Sequence, residues 1–198
     1  MKALIGLACS ALLASTTAMA ADSYMSAGIG FTKYDESGIN TAGAAYTTKA
    51  DLIAGSLTYG HRYSDNFAAE AMFITGLQKG DLKVNGASTT AKAELDNSIA
   101  AYAVVSSGFS DDFSVFAKAG VSKVEGSISV VVSGVTYSVS ADNTDFSYGA
   151  GAQMKINDES RIKGEYLSLW SDKGVQWNGS GNWEADYSVI LISYEWDL

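Results

Sequence analysis

Apolar and polar residues alternate along most of this chain. No apolar run after the first twenty residues approaches the roughly 20 residues that a spanning helix needs. Period-2 alternation is the signature of strands whose two faces see different surroundings. Ala27, Ile29 and Phe31 share one face, and Ser26, Gly28, Gly30 and Thr32 share the other. The same reading applies to Leu57, Tyr59 and Tyr63 against Thr58, Gly60 and Arg62, and to Ile190, Ile192, Tyr194 and Trp196 against Ser193 and Glu195. Met72, Ile74 and Phe116 are apolar residues on the polar face.

Three acidic clusters punctuate the alternating runs: Ser64-Asp65-Asn66, Ser110-Asp111-Asp112 and Asn157-Asp158-Glu159. Asp, Asn and Ser favour tight turns because their side chains bond neighbouring backbone groups. Each cluster joins two strands. The count is eight strands with three short connections and four longer segments, near 35–48, 79–94, 124–143 and 171–184. A propeller blade would need four strands per repeat, and each repeat here holds two. The fold class is therefore all-β, an eight-stranded antiparallel up-and-down barrel.

Residues 1–20 form a separate region. Lys2, an apolar stretch from Ala3 to Leu13 and the small-x-small pair Ala18 and Ala20 make a secretory signal peptide, with the barrel domain occupying 21–198. Cys9, the sole cysteine, falls inside that leader, so the exported chain has no disulfide or cysteine metal site. Lys and Arg number 13 against 22 Asp and Glu, for a net charge of −9. Phosphate binding needs clustered cations, which excludes nucleic acid as a partner.

The sense of the two faces separates a soluble barrel from a membrane one. The polar face is rich in Gly, Ala and Ser, which suits a crowded interior. The apolar face carries no charge at mid-strand, where a charge facing lipid would cost about 2–4 kcal/mol. It also carries aromatics beside the short turns: Tyr59, Tyr63, Phe67, Phe109, Phe113 and Trp196, an interfacial girdle. The apolar face thus points outward. The other face brings charges of both signs inward: Arg62, Lys118, Lys155 and Lys163 with Glu70, Glu165 and Glu195. Buried charges persist when paired, so these residues are expected to form a salt-bridge network filling a narrow barrel. Register from the turns sets Glu70 opposite Gly60 and Glu165 opposite Gly151, the glycines leaving room for the carboxylates. The chain has no Pro, as expected where nearly every strand amide must donate to a closed ladder.

The passage GHRYSDNFAAEAMF (60–73) resembles the repeated unit of the small outer-membrane β-barrel proteins, the OmpA-like, OmpX-like and opacity-type group. GAGAQMKINDESRIKGEYLSLW (149–170) is similar to their sixth and seventh strands. The chain end SVILISYEWDL resembles their carboxy-terminal assembly signal through Tyr194 and Trp196, with Leu198 where Phe is usual. The resemblance implies an outer-membrane location and contact with membrane lipid and lipopolysaccharide. It also implies help from periplasmic chaperones and the barrel-assembly machinery.

Function is then expected on the outside. Lipid A-modifying relatives need a histidine on the extracellular side, whereas His61 sits by the first periplasmic turn on lipid-facing parity. No nucleophile–base set, phosphate loop, metal spacing or cofactor motif stands elsewhere, so no catalysis is expected. Asn85-Gly86 and Ser133-Gly134 mark two hairpins that extend strands beyond the membrane and offer edges for strand addition to an extracellular ligand or host surface. Asp172, Trp177 and Trp183 are either contact residues or an outer aromatic belt. A structural or surface-interaction role heads the readings, followed by a narrow pore and by a soluble periplasmic carrier.

Overall fold

The computed structural model describes residues 23–39, 43–108, 112–176 and 182–198, without the side chains of 172–176, 182 and 183. The expected leader with Cys9, Ala18 and Ala20, together with Phe109 and the side chains of Asp172, Trp177 and Trp183, lies outside the described residues. The strands are β1 (Ser23–Ile39), β2 (Ala45–Ser64), β3 (Phe67–Gln78), β4 (Gly80–Val84), β5 (Ala87–Gly108), β6 (Phe113–Val132), β7 (Val135–Asn157), β8 (Ser160–Gln176) and β9 (Asn182–Asp197). All pairings are antiparallel; most join chain neighbours, while β2 also pairs with β4, β3 with β5, and β1 with β9. Phe31 faces Ile53 on one side and Ile190 on the other, which closes the ring. β3 and β4 are one stave interrupted at Lys79, both lying between β2 and β5, so nine segments make eight staves.

The segments 79–94 and 124–143 are strand almost throughout. At their tips Asn85 and Gly86 have φ of 50° and 80°, and Ser133 and Gly134 have 51° and 81°. Two successive left-handed residues match the right-handed twist of the flanking strands, which is why Asn-Gly-type pairs build two-residue hairpins. These two connections are thus tall hairpins rather than irregular loops.

Parity decides the wall. Ile29, Phe31 and Ile192 are 57%, 66% and 65% exposed on the outer face, whereas Thr32, Ser122 and Ser147 on the inner face are buried. On β6 the outer face is apolar up to Val121 and polar from Lys123 upward, through Glu125, Ser127 and Ser129. The inner face changes the other way, to Ile128, Val130 and Val132. On β1 the outer face passes from Phe31 to Lys33 at the same level, and on β9 from Ile190 to Ser188. The switch marks where the apolar surroundings end, since the same strand needs an apolar exterior in lipid and a polar one in water.

Met72, Ile74 and Phe116, the exceptions to alternation, point into the lumen and are almost fully buried. They belong to one apolar cluster with Leu52, Leu95, Leu167, Leu169, Val189 and Leu191. Most of these residues sit in the extracellular half of the staves, and the charges sit below them.

Candidate functional site

The periplasmic half of the lumen holds a continuous ion network. Lys118 on β6 bridges Glu70 on β3 and Glu165 on β8, both at 2.6 Å. Lys163 on β8 bridges Glu70 at 2.9 Å and Glu195 on β9 at 3.2 Å. Arg62 on β2 reaches Glu195 at 2.6 Å and Asp197 at 2.8 Å. Arg161 contacts the same two acids at 3.2 and 2.8 Å. Cations and carboxylates alternate along this path, four of each, so the network is neutral. Uncompensated charge would be costly there, because Lys118, Lys163, Glu70, Glu165 and Glu195 are all nearly inaccessible to water.

Aromatic rings supply the rest of the cradle. Tyr24 donates its hydroxyl to Glu70 Oε1 at 2.8 Å, and its ring lies 4.3 Å below the Arg62 guanidinium. The Lys163 ammonium lies 5.1 Å from the Phe116 ring centre, and Lys118 lies 5.2 Å from that of Tyr102. Tyr102 is fixed in turn: its hydroxyl donates to Ser147 Oγ at 2.8 Å, which donates to the Ser168 carbonyl at 2.7 Å.

Six of the seven charged residues singled out from the sequence meet in this network: Arg62, Glu70, Lys118, Lys163, Glu165 and Glu195. Lys155 does not. It has the inward parity but sits at the rim, where its ammonium is 2.8 Å from Asp158 in the turn below. Arg161 and Asp197 were missed, although both have inward parity on strands already assigned.

The registers Gly60↔Glu70 and Gly151↔Glu165 are as expected from the turns. The space at Gly60 is used differently, however: a Cβ there would lie 2.1 Å from Tyr24 Cζ, so the glycine admits the tyrosine ring rather than the carboxylate. At Gly151 a Cβ would meet Phe116 Cζ at 2.5 Å and Glu165 Cβ at 2.9 Å, so ring and acid share the gap.

Near the periplasmic end, Tyr63, Phe67 and Phe113 are exposed on the outer wall. Tyr59 and Trp196 are half-buried, and Trp196 stacks on Tyr194 with ring centres 6.2 Å apart. His61 Nδ1 lies 3.1 Å from Ser23 Oγ, and the imidazole meets Tyr63 edge-on at 4.8 Å. Leu198 donates its amide to the Ser23 carbonyl at 2.9 Å, tying the chain end to β1. Among the described residues no group of His, Cys, Asp or Glu has the arrangement of a metal site.

Outside the membrane, ion pairs line the hairpins. Lys92 pairs with Asp81, and Lys123 pairs with Glu125 and, at 3.4 Å, with Asp142. Lys92 holds the Asp81 carboxyl below the usual range, and Lys123 does the same to Glu125. At the periplasmic turn, Lys155 lowers Asp158 likewise.

A closed antiparallel ring with an apolar exterior, a neutral charged interior and polar ends is a transmembrane β-barrel of the outer-membrane type. An exterior of this kind rules out the soluble carrier. The chain belongs to the outer membrane protein beta-barrel domain family, whose model matches residues 5–196, and it is an integral protein of the outer membrane. Its surroundings are accordingly outer-membrane lipid and lipopolysaccharide.

Similar solved structures include OprG of Pseudomonas aeruginosa, with a TM-score of 0.55 and 13% identity over 89% of this chain and 95% of that one. Neisserial surface protein A has a TM-score of 0.50 and 13% identity, covering 89% of this chain and 97% of its own. The outer membrane protease OmpT of Escherichia coli has a TM-score of 0.52 and 8% identity, covering 91% of this chain and 98% of its own. No curated protein sequence matches the chain. With a surface protein and a protease both among these structures, the likeness speaks to fold and not to activity.

Proposed function

We propose that this protein is a non-catalytic surface barrel whose working part is its pair of tall extracellular hairpins. The observation that carries this reading is the apolar cluster around Leu52, Ile74, Leu95, Leu167, Leu169 and Leu191, each at most 2% exposed, stacked above the ion network. A water path would have to cross both layers, and an eight-stranded barrel is only wide enough for its own side chains. Specific recognition on such a scaffold falls to the exposed connections.

In the same reading, residues 1–20 are removed after Ala20. Periplasmic chaperones then deliver the chain, and Tyr194, Trp196 and Leu198 address it to the assembly machinery. Tyr59, Tyr63, Phe67, Phe113 and Trp196 form the periplasmic aromatic belt.

The test pairs two measurements on the same protein. In planar bilayers the barrel is expected to show no steady conductance. A stable conductance that disappears in Lys118→Met or Glu165→Gln would replace this reading by the narrow pore. On cells, exchanging residues 126–143 for a short turn is expected to abolish capture of an extracellular ligand or host surface while leaving the heat-modifiable barrel intact. Undiminished capture by the shortened barrel would overturn the assignment to the hairpin.

A further inference from the structure

The β7–β8 ladder climbs to Tyr148↔Ser168 and stops there. β8 shifts register between Ser168 and Trp170, a bulge that redirects the strand, and goes on against β9 alone. β5 leaves β6 at Ala91↔Val130, while β6 and β7 continue to Val132↔Val135. The tip of the β6–β7 hairpin therefore stands by itself.

From Gly126 to Ala141 this hairpin carries no charged residue. Below that stretch Lys123 holds Glu125 and, at 3.4 Å, Asp142. The cross-strand pairs sort by face. Val132 faces Val135, Val130 faces Tyr137 and Ile128 faces Val139 on one side, while Ser129 faces Ser138 and Ser127 faces Ser140 on the other. Nearest the turn the hydroxyl side becomes apolar too, with Val131 opposite Thr136. Val131, Val132, Val135, Tyr137 and Val139 are each more than half exposed. Single apolar residues on a surface need no explanation, but a contiguous exposed row does.

The row is too small for a protein partner. Two strands wide and three pairs long, it covers about 200 Å², against about 800 Å² per partner in a specific interface. A second copy of the hairpin fails for the same reason. A fluid apolar phase needs no matching surface, and binding to it scales with the apolar area that dips in.

The barrel's own membrane is out of reach. The apolar outer wall of β6 gives way at Lys123, and from there to Val132 the strand climbs about 30 Å. At the usual tilt of about 35–45° the tip stands more than about 20 Å above the lipid boundary. Its depth in another bilayer is limited as well. Among the described residues nothing pairs with the β8-facing edge of residues 135–147, and unpaired backbone groups do not enter hydrocarbon. The tip thus stops among the headgroups, where the amphipathic ring of Tyr137, one pair below Val132↔Val135, is at home. The chain's net charge is −9, and the charges nearest the tip on β7 are Asp142 and Asp145. An anionic surface repels such a protein, whereas a zwitterionic one does not.

We propose that the β6–β7 hairpin tip inserts into the facing leaflet of an apposed, electrically neutral bilayer and anchors there at headgroup depth. The proposal rests on the surface-interaction reading above and gives the recognised surface a chemistry, zwitterionic lipid. One tip holds weakly, and many barrels facing the same bilayer hold by avidity.

The experiment uses the full barrel, as the Cys9→Ser, Val132→Cys variant carrying an environment-sensitive fluorophore, in nanodiscs of phosphatidylcholine. Added phosphatidylcholine vesicles are expected to shift the emission to the blue and raise it at least about twofold. Quencher-bearing lipids placed only in those vesicles are expected to reverse the rise. Val131→Asp with Val135→Asp is expected to abolish the response while heat-modifiability is retained. The same label at Asp142→Cys is expected to give none. No response to the vesicles, no quenching by their lipids, or an equal response in the double Asp variant would each overturn the proposal. An equal response to phosphatidylglycerol vesicles would overturn the assignment to a neutral bilayer. Hairpin-dependent capture on cells without any fluorescence response would overturn lipid insertion while leaving the surface-interaction reading in place.

Discussion

Lys163 on β8 and Glu70 on β3 meet across the lumen at 2.9 Å, joining strands that are not neighbours in the wall. Glu70 also accepts from Lys118 and from the Tyr24 hydroxyl, so one carboxylate anchors three donors. Removing it leaves two buried ammonium groups short of a partner. Glu70→Gln is expected to destabilise the barrel by about 3–5 kcal/mol, measured by reversible urea unfolding in lipid vesicles. A loss below 1 kcal/mol would show that water reaches the network.

The outer wall is tested by charge at mid-strand. Ile192 faces outward on β9 between Tyr194 and Ile190. Ile192→Arg is expected to cost about 2–4 kcal/mol in the same unfolding assay. Ser138→Arg, above the switch in amphipathicity, is expected to change stability by less than about 0.5 kcal/mol.

Gly60 makes room for the Tyr24 ring, which stands where its Cβ would be. Gly60→Ala overpacks the lumen and is expected to cost about 1–3 kcal/mol. Tyr24→Leu costs stability by itself through the lost bond to Glu70. Because the two positions touch, the double variant is expected to lose less than the sum of the singles, a non-additivity read from a double-mutant cycle.

The Lys155–Asp158 pair makes a pH prediction outside the membrane. Lys155 holds Asp158 below the usual aspartate value of about 3.9, so its contribution is present above that value and fades as the pH falls through the lowered one. Titration of the Asp158 carboxyl carbon by NMR is expected to give a midpoint below the ordinary one. That midpoint should return to about 3.9 in Lys155→Ala. An unchanged midpoint in the variant would mean that the pair does not persist in solution.

Much of the architecture was legible because two periods coincide along the chain: side chains alternate every second residue and turn clusters recur after every second strand. From these came the staves and the opposition of Glu70 to Gly60; the aromatics and small residues of the two faces gave the outward sense, and Asn85-Gly86 and Ser133-Gly134 gave the hairpin tips. Arg161 shares the inward parity of Lys163 and Glu165, but its place beside an acidic turn reads equally as part of that turn. Lys155 misled because parity gives the face and not the height, and at the rim a turn carboxylate is the nearer partner. Met72, Ile74 and Phe116 looked like lapses in the pattern until the lumen showed an apolar layer that needs them.

The sequence by itself determined that this chain is a membrane barrel, which face meets lipid and which charges turn inward. Those properties follow from local alternation and hairpin register, each set within one stave and the next. Only the tertiary structure decided that Lys163 reaches Glu70, that Tyr24 fills the space at Gly60, that an apolar layer caps the charges, and that β7 stands free of β8 above Tyr148. Those relations depend on closure, tilt and a single bulge, which bring together residues from opposite sides of the ring that no local period connects.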